Sequence, residues 1–259
     1  MRKSLFANIA ILAVSMAAPA FAADLPLKTP AVPFAERFNW TSCYAGAHLG
    51  GGFERSDITD PVQLVQDSFL GAGTTTGVTT VSQQPSGAVI GGQIGCDYQF
   101  TASSVVVGVQ GSASGTTMKS STSVGLPLGN PDTALVKANT DFLPSLTARL
   151  GYAVDNFLFY GKGGVALAGS KYDVTGSFTG LPFAFEGLEN RYGWTAGGGV
   201  EWGFSQHWST SLEYDYYQFG NANILMSDGI NGFSGLVNVK QTVQVVKLGL
   251  NFHVTGAGW

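Results

Sequence analysis

The chain contains few charged residues: Lys, Arg, Asp and Glu make up only 12% of its 259 residues, about half the fraction in an average soluble domain. A surface that faced water on all sides would be unusually poor in charge. The formal net charge is −4, and no segment carries a run of Lys or Arg, so the chain lacks the basic surface that nucleic-acid binding requires. We therefore expect no nucleic-acid partner and a surface that faces water only in part.

Long apolar runs are missing except at the N-terminus. There, Arg2 and Lys3 precede a mostly apolar stretch, and Ala20 and Ala22 are spaced for an A-x-A cleavage site. This pattern predicts a signal peptide over residues 1–22 that is removed on export. No later segment has the apolar length of a transmembrane helix, so any membrane span must be made of strands.

Regular structure is excluded from the segment after the signal peptide, because Pro26, Pro30 and Pro33 lie too close together for a helix or a central strand. We interpret residues 23–39 as a Pro-rich periplasmic leader. Eight later stretches have strand character, and each is long enough to cross a bilayer as a tilted strand of about 9 to 11 residues. They are residues 40–53, 87–100, 104–114, 142–154, 157–167, 191–204, 208–219 and 242–252. They define a predicted barrel over residues 40–252, followed by an extension over residues 253–259.

The connections between these stretches alternate in length. Three are very short, at residues 101–103, 155–156 and 205–207, and four are long, at residues 54–86, 115–141, 168–190 and 220–241. Soluble β-sandwiches follow no such rule, whereas outer-membrane barrels have tight periplasmic turns and long surface loops. The sequence therefore predicts an all-β, eight-stranded antiparallel transmembrane β-barrel with four long surface loops.

Side chains alternate between two faces along each predicted strand. Leu146 and Leu150 would face lipid while Thr147 and Arg149 face a polar interior. The same alternation places seven charged residues inside the barrel: Asp97, Arg149, Lys162, Glu201, Glu213, Asp215 and Lys247. Aromatic residues gather near the short turns, as an interfacial girdle would: Trp40, Tyr98, Phe100, Phe157, Phe159, Trp202, Phe204, Trp208 and Phe252.

Cysteine is rare, and both cysteines fall in the first predicted hairpin. Cys43 lies near the start of the first strand and Cys96 near the end of the second, so both lie near the periplasmic end. The periplasm is oxidising, and facing cross-strand positions bring Cβ atoms close to the disulfide range. We predict a disulfide between Cys43 and Cys96; the alternative is two small apolar residues that face the interface.

Patterns that indicate catalysis or metal binding are weak. His48, His207 and His253 lie on different elements without a metal-ligand spacing. The sequence "GKGGVA" fits a dinucleotide fingerprint, but no helix pattern follows it. Glu213 and Asp215 share one strand face, but paired charges that fill a small barrel explain them better than an acid–base pair. We therefore expect no enzyme, no metal and no built-in cofactor.

Several motifs resemble a known family. They are "AADLP", "NWTSCYAGAHLG", "GGQIGCDYQF", "RLGY", "LFYGKGGVALA", "GWTAGGGVEW", "SLEYDYYQFG" and "VKLGLNF". Together they look like the alphaproteobacterial eight-stranded outer-membrane surface proteins, of the porin-family or opacity-like type. The resemblance implies location in the cell outer membrane and insertion by the barrel assembly machinery. Either Phe252 or Trp259 would then serve as the C-terminal aromatic assembly signal.

The resemblance also implies a ligand, because some members are reported to bind haemin. The candidate iron ligands in the predicted long loops are Tyr172, Met118 and Met226. An eight-stranded barrel, however, has an interior only wide enough for its own side chains. We expect a structural barrel that displays surface loops without a general diffusion pore. A receptor for haemin or a host ligand, and a small passive porin, are the alternatives; outer-membrane lipid and lipopolysaccharide are expected partners, and the loop ligand is open.

Overall fold

The computed structural model describes residues 37–59, 67, 80–125 and 133–254, all within the second of two compact units of the chain, residues 37–259. Nine antiparallel strands form one sheet over these residues. They are β1 (Ser42–Thr59), β2 (Thr80–Gln83), β3 (Ser86–Gln99), β4 (Val105–Gly125), β5 (Thr133–Val154), β6 (Phe157–Phe178), β7 (Leu181–Ser205), β8 (Trp208–Asp228) and β9 (Ser234–Val254). Within the same ranges, no helix has the length and apolar character needed to cross a bilayer.

The sheet closes on itself. Each long strand pairs with the next, and β1 also pairs with β9 from Cys43 opposite Val254 to Thr59 opposite Asn238. The short β2 pairs with the outer end of β1, on the same side as β3. The wall therefore consists of eight long antiparallel strands, as the sequence predicts, with β2 as a short additional piece.

The three short connections are confirmed as tight turns at one end of the barrel. β5 and β6 are joined by Asp155–Asn156, and β7 and β8 by Gln206–His207. Asp155 and Ala102, in the turn between β3 and β4, have positive φ angles of 52° and 62°. Such left-handed backbone positions reverse the chain within a few residues.

The prediction of four long surface loops is largely wrong. Residues 168–190 belong mostly to β6 and β7, which meet at a turn of Thr179 and Gly180, and residues 220–241 belong mostly to β8 and β9. Much of 115–141 extends β4 and β5, and the ends of 54–86 extend β1 and form β2. The strands reach up to 25 residues, whereas a membrane needs about 9 to 11. About half of each of β4 to β9, which have 21 to 25 residues, therefore stands beyond the membrane, and with the end of β1 these parts form an outer extension of the barrel.

The reason lies in a reversal of polarity along each strand. Near the short turns the outward side chains are large and apolar, such as Leu150, Phe159 and Leu250, as contact with lipid requires. In the outer extension most of the large apolar side chains point inward, because water surrounds the wall there; Leu188, Leu225 and Leu236 are exposed exceptions. The inward side chains form an outer apolar cluster: Ile58, Ala134, Val136, Ala138, Tyr172, Val174, Phe178, Phe183, Phe185, Ile224, Met226, Val237 and Val239.

The predicted girdle is confirmed for eight of its nine residues, which are exposed on the barrel wall. Trp40 is the exception, because it is fully buried; Phe38, part of the predicted leader, is buried as well. His253 and Val254 continue β9, so the predicted extension begins too early. The predicted signal peptide, most of the leader and residues 255–259 lie outside the described residues.

Candidate functional site

The interior of the barrel is filled in layers, which the inward side chains of β5 cross in order. From the short turns outward these are Ala153, Arg149, Leu143, Thr140 and Val136, all buried. Ala153 belongs to a floor cluster, Leu143 to a middle apolar cluster and Val136 to the outer apolar cluster. Arg149 and Thr140 belong to two polar layers that lie between these apolar ones. Polar and apolar layers therefore alternate along the barrel axis.

The lower polar layer contains all seven charged residues that the sequence places inside, and we call it the charge belt. Its first half centres on Arg149. Its guanidinium contacts Asp97 Oδ2 at 3.1 Å and Glu201 Oε2 at 2.7 Å, and it donates to the Tyr44 hydroxyl. The central guanidinium carbon of Arg149, Cζ, also lies 3.9 Å from the centroid of the Tyr160 ring, within cation–π range. Arg149 is thus held by two carboxylates and two aromatic rings.

The second half of the charge belt is a crossed set of two lysines and two carboxylates. Lys162 Nζ lies 2.6 Å from Glu213 Oε2 and 3.0 Å from Asp215 Oδ1. Lys247 Nζ lies 3.3 Å from Glu213 Oε2 and 2.7 Å from Asp215 Oδ2. Tyr160 donates from its hydroxyl to Glu213 Oε1 at 2.6 Å and so links the two halves. Glu213 and Asp215 each contact both ammonium groups.

A histidine network lies between the charge belt and the floor, and no pattern in the sequence predicts it. His253 Nδ1 and Ser42 Oγ are 2.8 Å apart, and His253 Nε2 and Ser209 Oγ are also 2.8 Å apart. Glu201 Oε1 accepts from Ser209 at 2.5 Å and from Asn251 at 2.8 Å. These residues stand on four different strands, so only barrel closure brings them together.

Aromatic side chains of the segment before β1 close the barrel below this network. Phe38 and Trp40 form the floor cluster with Val106, Ala153, Leu158 and Tyr160. The Phe38 ring centroid lies 4.9 Å from that of His253, and the Phe38 N–H donates to Asn156 Oδ1 at 3.1 Å. A Cβ at Gly203 would overlap the Phe38 ring, so glycine makes room for it.

The upper polar layer centres on Arg191 and Gln241. Gln241 Nε2 donates to Glu54 Oε1 at 3.0 Å and to Thr140 Oγ1 at 2.8 Å. Arg191 donates to Gln241 Oε1 at 3.3 Å and to the backbone oxygen of Val239 at 2.7 Å. It also donates to the backbone oxygen of Gly220, where the pairing of β8 with β9 is irregular. Sequence reasoning missed this layer because it assigned Glu54, Thr140 and Gln241 to the predicted loops 54–86, 115–141 and 220–241.

The remaining predicted site residues are placed as follows. Cys43 and Cys96 are opposite each other on β1 and β3 and are joined by a disulfide. Tyr172 and Met226 are buried in the outer apolar cluster and Met118 in the middle cluster, so their placement in surface loops is wrong. His48 contacts Ser114 at 2.8 Å inside the barrel, away from His253. The described residues contain no group of three His, Cys, Asp or Glu that could hold a metal ion.

Comparison with proteins of known sequence gives two groups of relatives. The chain is 27% identical to a 31 kDa outer-membrane immunogenic protein of Brucella melitensis, over 94% of this chain and 97% of the relative. It is 28% identical to a 25 kDa outer-membrane immunogenic protein of Brucella abortus, over 80% of each chain.

Comparison with solved structures gives the same fold. The outer-membrane protease OmpT of Escherichia coli matches with a TM-score of 0.51 over 84% of this chain and 98% of OmpT. The sequences are only 8% identical, so the likeness concerns the fold alone. The family model described as "Outer membrane protein beta-barrel domain" matches residues 9–252. The protein is located in the outer membrane, and its chain belongs to the outer-membrane protein β-barrel domain family.

Proposed function

We propose that the protein is a structural outer-membrane barrel that displays its outer extension at the cell surface and forms no general diffusion pore. The observation that carries this proposal is the filling of the interior. Along β5, every inward position named above is buried, and the layers at these positions alternate between ion-paired and apolar side chains.

An ion that crossed the barrel would meet two different obstacles. It would have to displace charges that already pair with one another in the charge belt, where Lys247 and Glu213 are 1% and 3% exposed. It would also have to pass apolar clusters, such as the middle one with Leu143, Tyr217 and Phe219, where an ion loses its hydration without compensation. Two independent kinds of barrier support a closed barrel over the small passive porin.

Display at the surface is supported by the outer extension and by the relatives. The outer extension consists of paired strands rather than loops, and its outward side chains would meet water. The two Brucella relatives are named outer-membrane immunogenic proteins, and we propose a comparable surface exposure here. Insertion by the barrel assembly machinery follows from this location.

Conductance tests the proposal. Protein refolded in planar bilayers should give no steady current at 100 mV, and vesicles that contain it should not release a trapped small sugar. Incorporation is verified on the same samples with a single cysteine at Gly229, at the tip between β8 and β9, labelled from outside in a variant without native cysteines. Large and stable channels in verified samples would show that the porin alternative is right.

We propose further that the protein is not an enzyme and binds no built-in cofactor. The candidate iron ligands Tyr172, Met118 and Met226 are enclosed by other side chains, so a planar haemin would have to unpack the barrel interior to reach them. A haemin titration of the folded protein should therefore leave the absorption spectrum of haemin unchanged beyond its response to detergent. A saturable spectral shift, lost in Tyr172→Phe, would favour the receptor alternative.

A further inference from the structure

A groove of about 360 Å³ opens on the outer wall where the ladder of β1 is interrupted. β2 ends at Gln83 and β3 begins at Ser86, so Gln84 and Pro85 leave a gap between them. Pro85 has no N–H to donate to the ladder, although its oxygen accepts from the Glu54 N–H at 2.8 Å. This hydrogen bond keeps the wall closed there, and the groove lies at this gap.

The register places the groove at the outer edge of the lipid-facing surface. Phe53, which lines the groove, is paired with Ser86 on one side and Gln244 on the other. Four residues nearer the short turns, Leu49 is paired with Ile90 and Leu248, and all three are more than half exposed, as lipid contact requires. The groove therefore lies at the level of lipid headgroups, with a track for acyl chains below it.

Cations surround the groove. Arg55 lines it and its side chain is 64% exposed. Lys119 is opposite Ser86 on β4, and Lys240 is opposite Asp57 on β9; both lysines are exposed. Against these three cations stands the carboxylate of Asp57, which contacts Arg55 at 3.3 Å. Glu54 also lines the groove, but it is 4% exposed and its side chain accepts from Gln241 inside the barrel. The outward-facing positions named here thus carry a net charge of +2.

Hydrogen-bond donors complete the site. Ser86 and Gln84 line the groove on one side and Gln244 on the other. Tyr214 donates to Gln244 Oε1 at 3.0 Å, so the amide N–H₂ of Gln244 is the end that can donate to a ligand. An arginine guanidinium with neutral donors around it is the usual recognition set for phosphate.

We propose that this groove binds the phosphate headgroup of an anionic lipid in the outer leaflet. Arg55 would bind the phosphate, Lys119 and Lys240 would add attraction, and the acyl chains would lie along Leu49 and its neighbours. Two lipids carry the required chemistry: a glycolipid with phosphomonoesters, such as lipid A, and a glycerophospholipid with a phosphodiester, such as phosphatidylglycerol.

Asp57 allows a prediction of the direction in which lipid binding changes. Its hydroxyl partner Ser82, at 2.6 Å, is the main cause that lowers the pKa of Asp57, with a contribution from Arg55, so the carboxylate is charged at neutral pH and competes with a phosphate for Arg55. Asp57→Asn should therefore strengthen lipid binding, whereas Arg55→Gln should weaken it. A groove that merely accommodates acyl chains would respond to neither change.

The test uses full-length protein folded in a non-ionic detergent and titrated separately with lipid A and with phosphatidylglycerol, with bound lipid counted by native mass spectrometry. We expect Arg55→Gln to weaken binding about tenfold, the loss of about one charge-assisted hydrogen bond, and Asp57→Asn to strengthen it severalfold. The matched control is Lys171→Gln, which removes a partly exposed cation on β6. Circular dichroism and heat-modified mobility verify that each variant is folded.

The two lipid arms identify the source. Equal effects with both lipids would assign the site to the phosphate group itself, and an effect with lipid A alone would assign it to a phosphomonoester glycolipid; both results support the proposal. Equal weakening by Arg55→Gln and Lys171→Gln would show a general attraction of the surface and overturn it. So would binding of both lipids that is unchanged in Arg55→Gln.

Discussion

Removal of Arg149 from the charge belt gives the strongest test of what stabilises the barrel. The Arg149 side chain is 3% exposed and lies between Asp97 and Glu201 at 3.1 and 2.7 Å. Arg149→Met keeps a similar side-chain volume but leaves two buried carboxylates without their cation. Loss of one partner of a buried ion pair costs about 3 to 5 kcal/mol. With a slope of about 2 kcal/mol per M of urea, a loss of 4 kcal/mol lowers the midpoint of unfolding by about 2 M.

The measurement is urea unfolding of protein refolded in lipid vesicles, followed by tryptophan fluorescence and by heat-modified mobility in gels. Lys171→Met is the matched control, because Lys171 makes only longer contacts of 3.7 and 3.9 Å and is 39% exposed. Its midpoint should move by less than about a quarter of the Arg149→Met shift, since exposed ion pairs contribute about 0 to 1 kcal/mol.

A triple variant separates charge from packing. Arg149→Met combined with Asp97→Asn and Glu201→Gln removes the stranded charges while it keeps the side-chain shapes. Replacement of a whole buried ion network by neutral groups is often close to neutral, so the triple variant should recover at least half of the loss. Equal midpoints for Arg149→Met and Lys171→Met would refute the reasoning, because they would mean that water already screens the charge belt.

Three further predictions concern other parts of the molecule. Denatured, unreduced protein should contain no reactive thiol, since Cys43 and Cys96 are bonded; two reactive thiols would contradict this. In a variant without native cysteines, a bulky thiol reagent should reach a cysteine at Asn156 only from the periplasm and one at Gly229 only from the cell surface. Burial opposes ionisation of Asp228, but backbone N–H donors outweigh it and lower the Asp228 pKa. The order it gives to the β8–β9 turn should be present above about pH 4 and lost as pH falls through that lowered pKa, and hydrogen exchange of the turn amides measures it.

The membrane half of the fold could be predicted from sequence because one rule governs it. Lipid outside and polar groups inside give alternation with a fixed sense, as at Leu146 and Thr147, and tight turns separate the strands. The outer extension obeys the same period with the opposite sense. Val136 and Val174 point inward there, so a search for outward apolar residues finds no strand and reports loops.

The candidate site shows a similar division. The charge belt can be predicted from two properties of each single strand: whether a residue faces inward or outward, and how many residues separate it from the short turn. The histidine network and the upper polar layer depend on which strands meet across the interior. Ser42 and His253 are 211 positions apart, and no local pattern connects them. The prediction that Trp40 belongs to the interfacial girdle is wrong because the chain turns into the barrel before β1 begins, where Phe38 and Trp40 are buried. The sequence around Trp40 contains no sign of this turn.

The reversal of polarity along each strand constrains how this sequence can change over generations. A single-residue deletion near the middle of β6 would shift the parity of everything beyond it and exchange the two faces of the far half. In a strand of a soluble sheet with one buried face, such a deletion disrupts only the contacts of that face with the core. Here it would turn Tyr172 and Val174 toward water and leave Lys171 and Asp173 inside. Length variation should therefore be confined to the tips between strands, while the walls accept substitutions only at every second position.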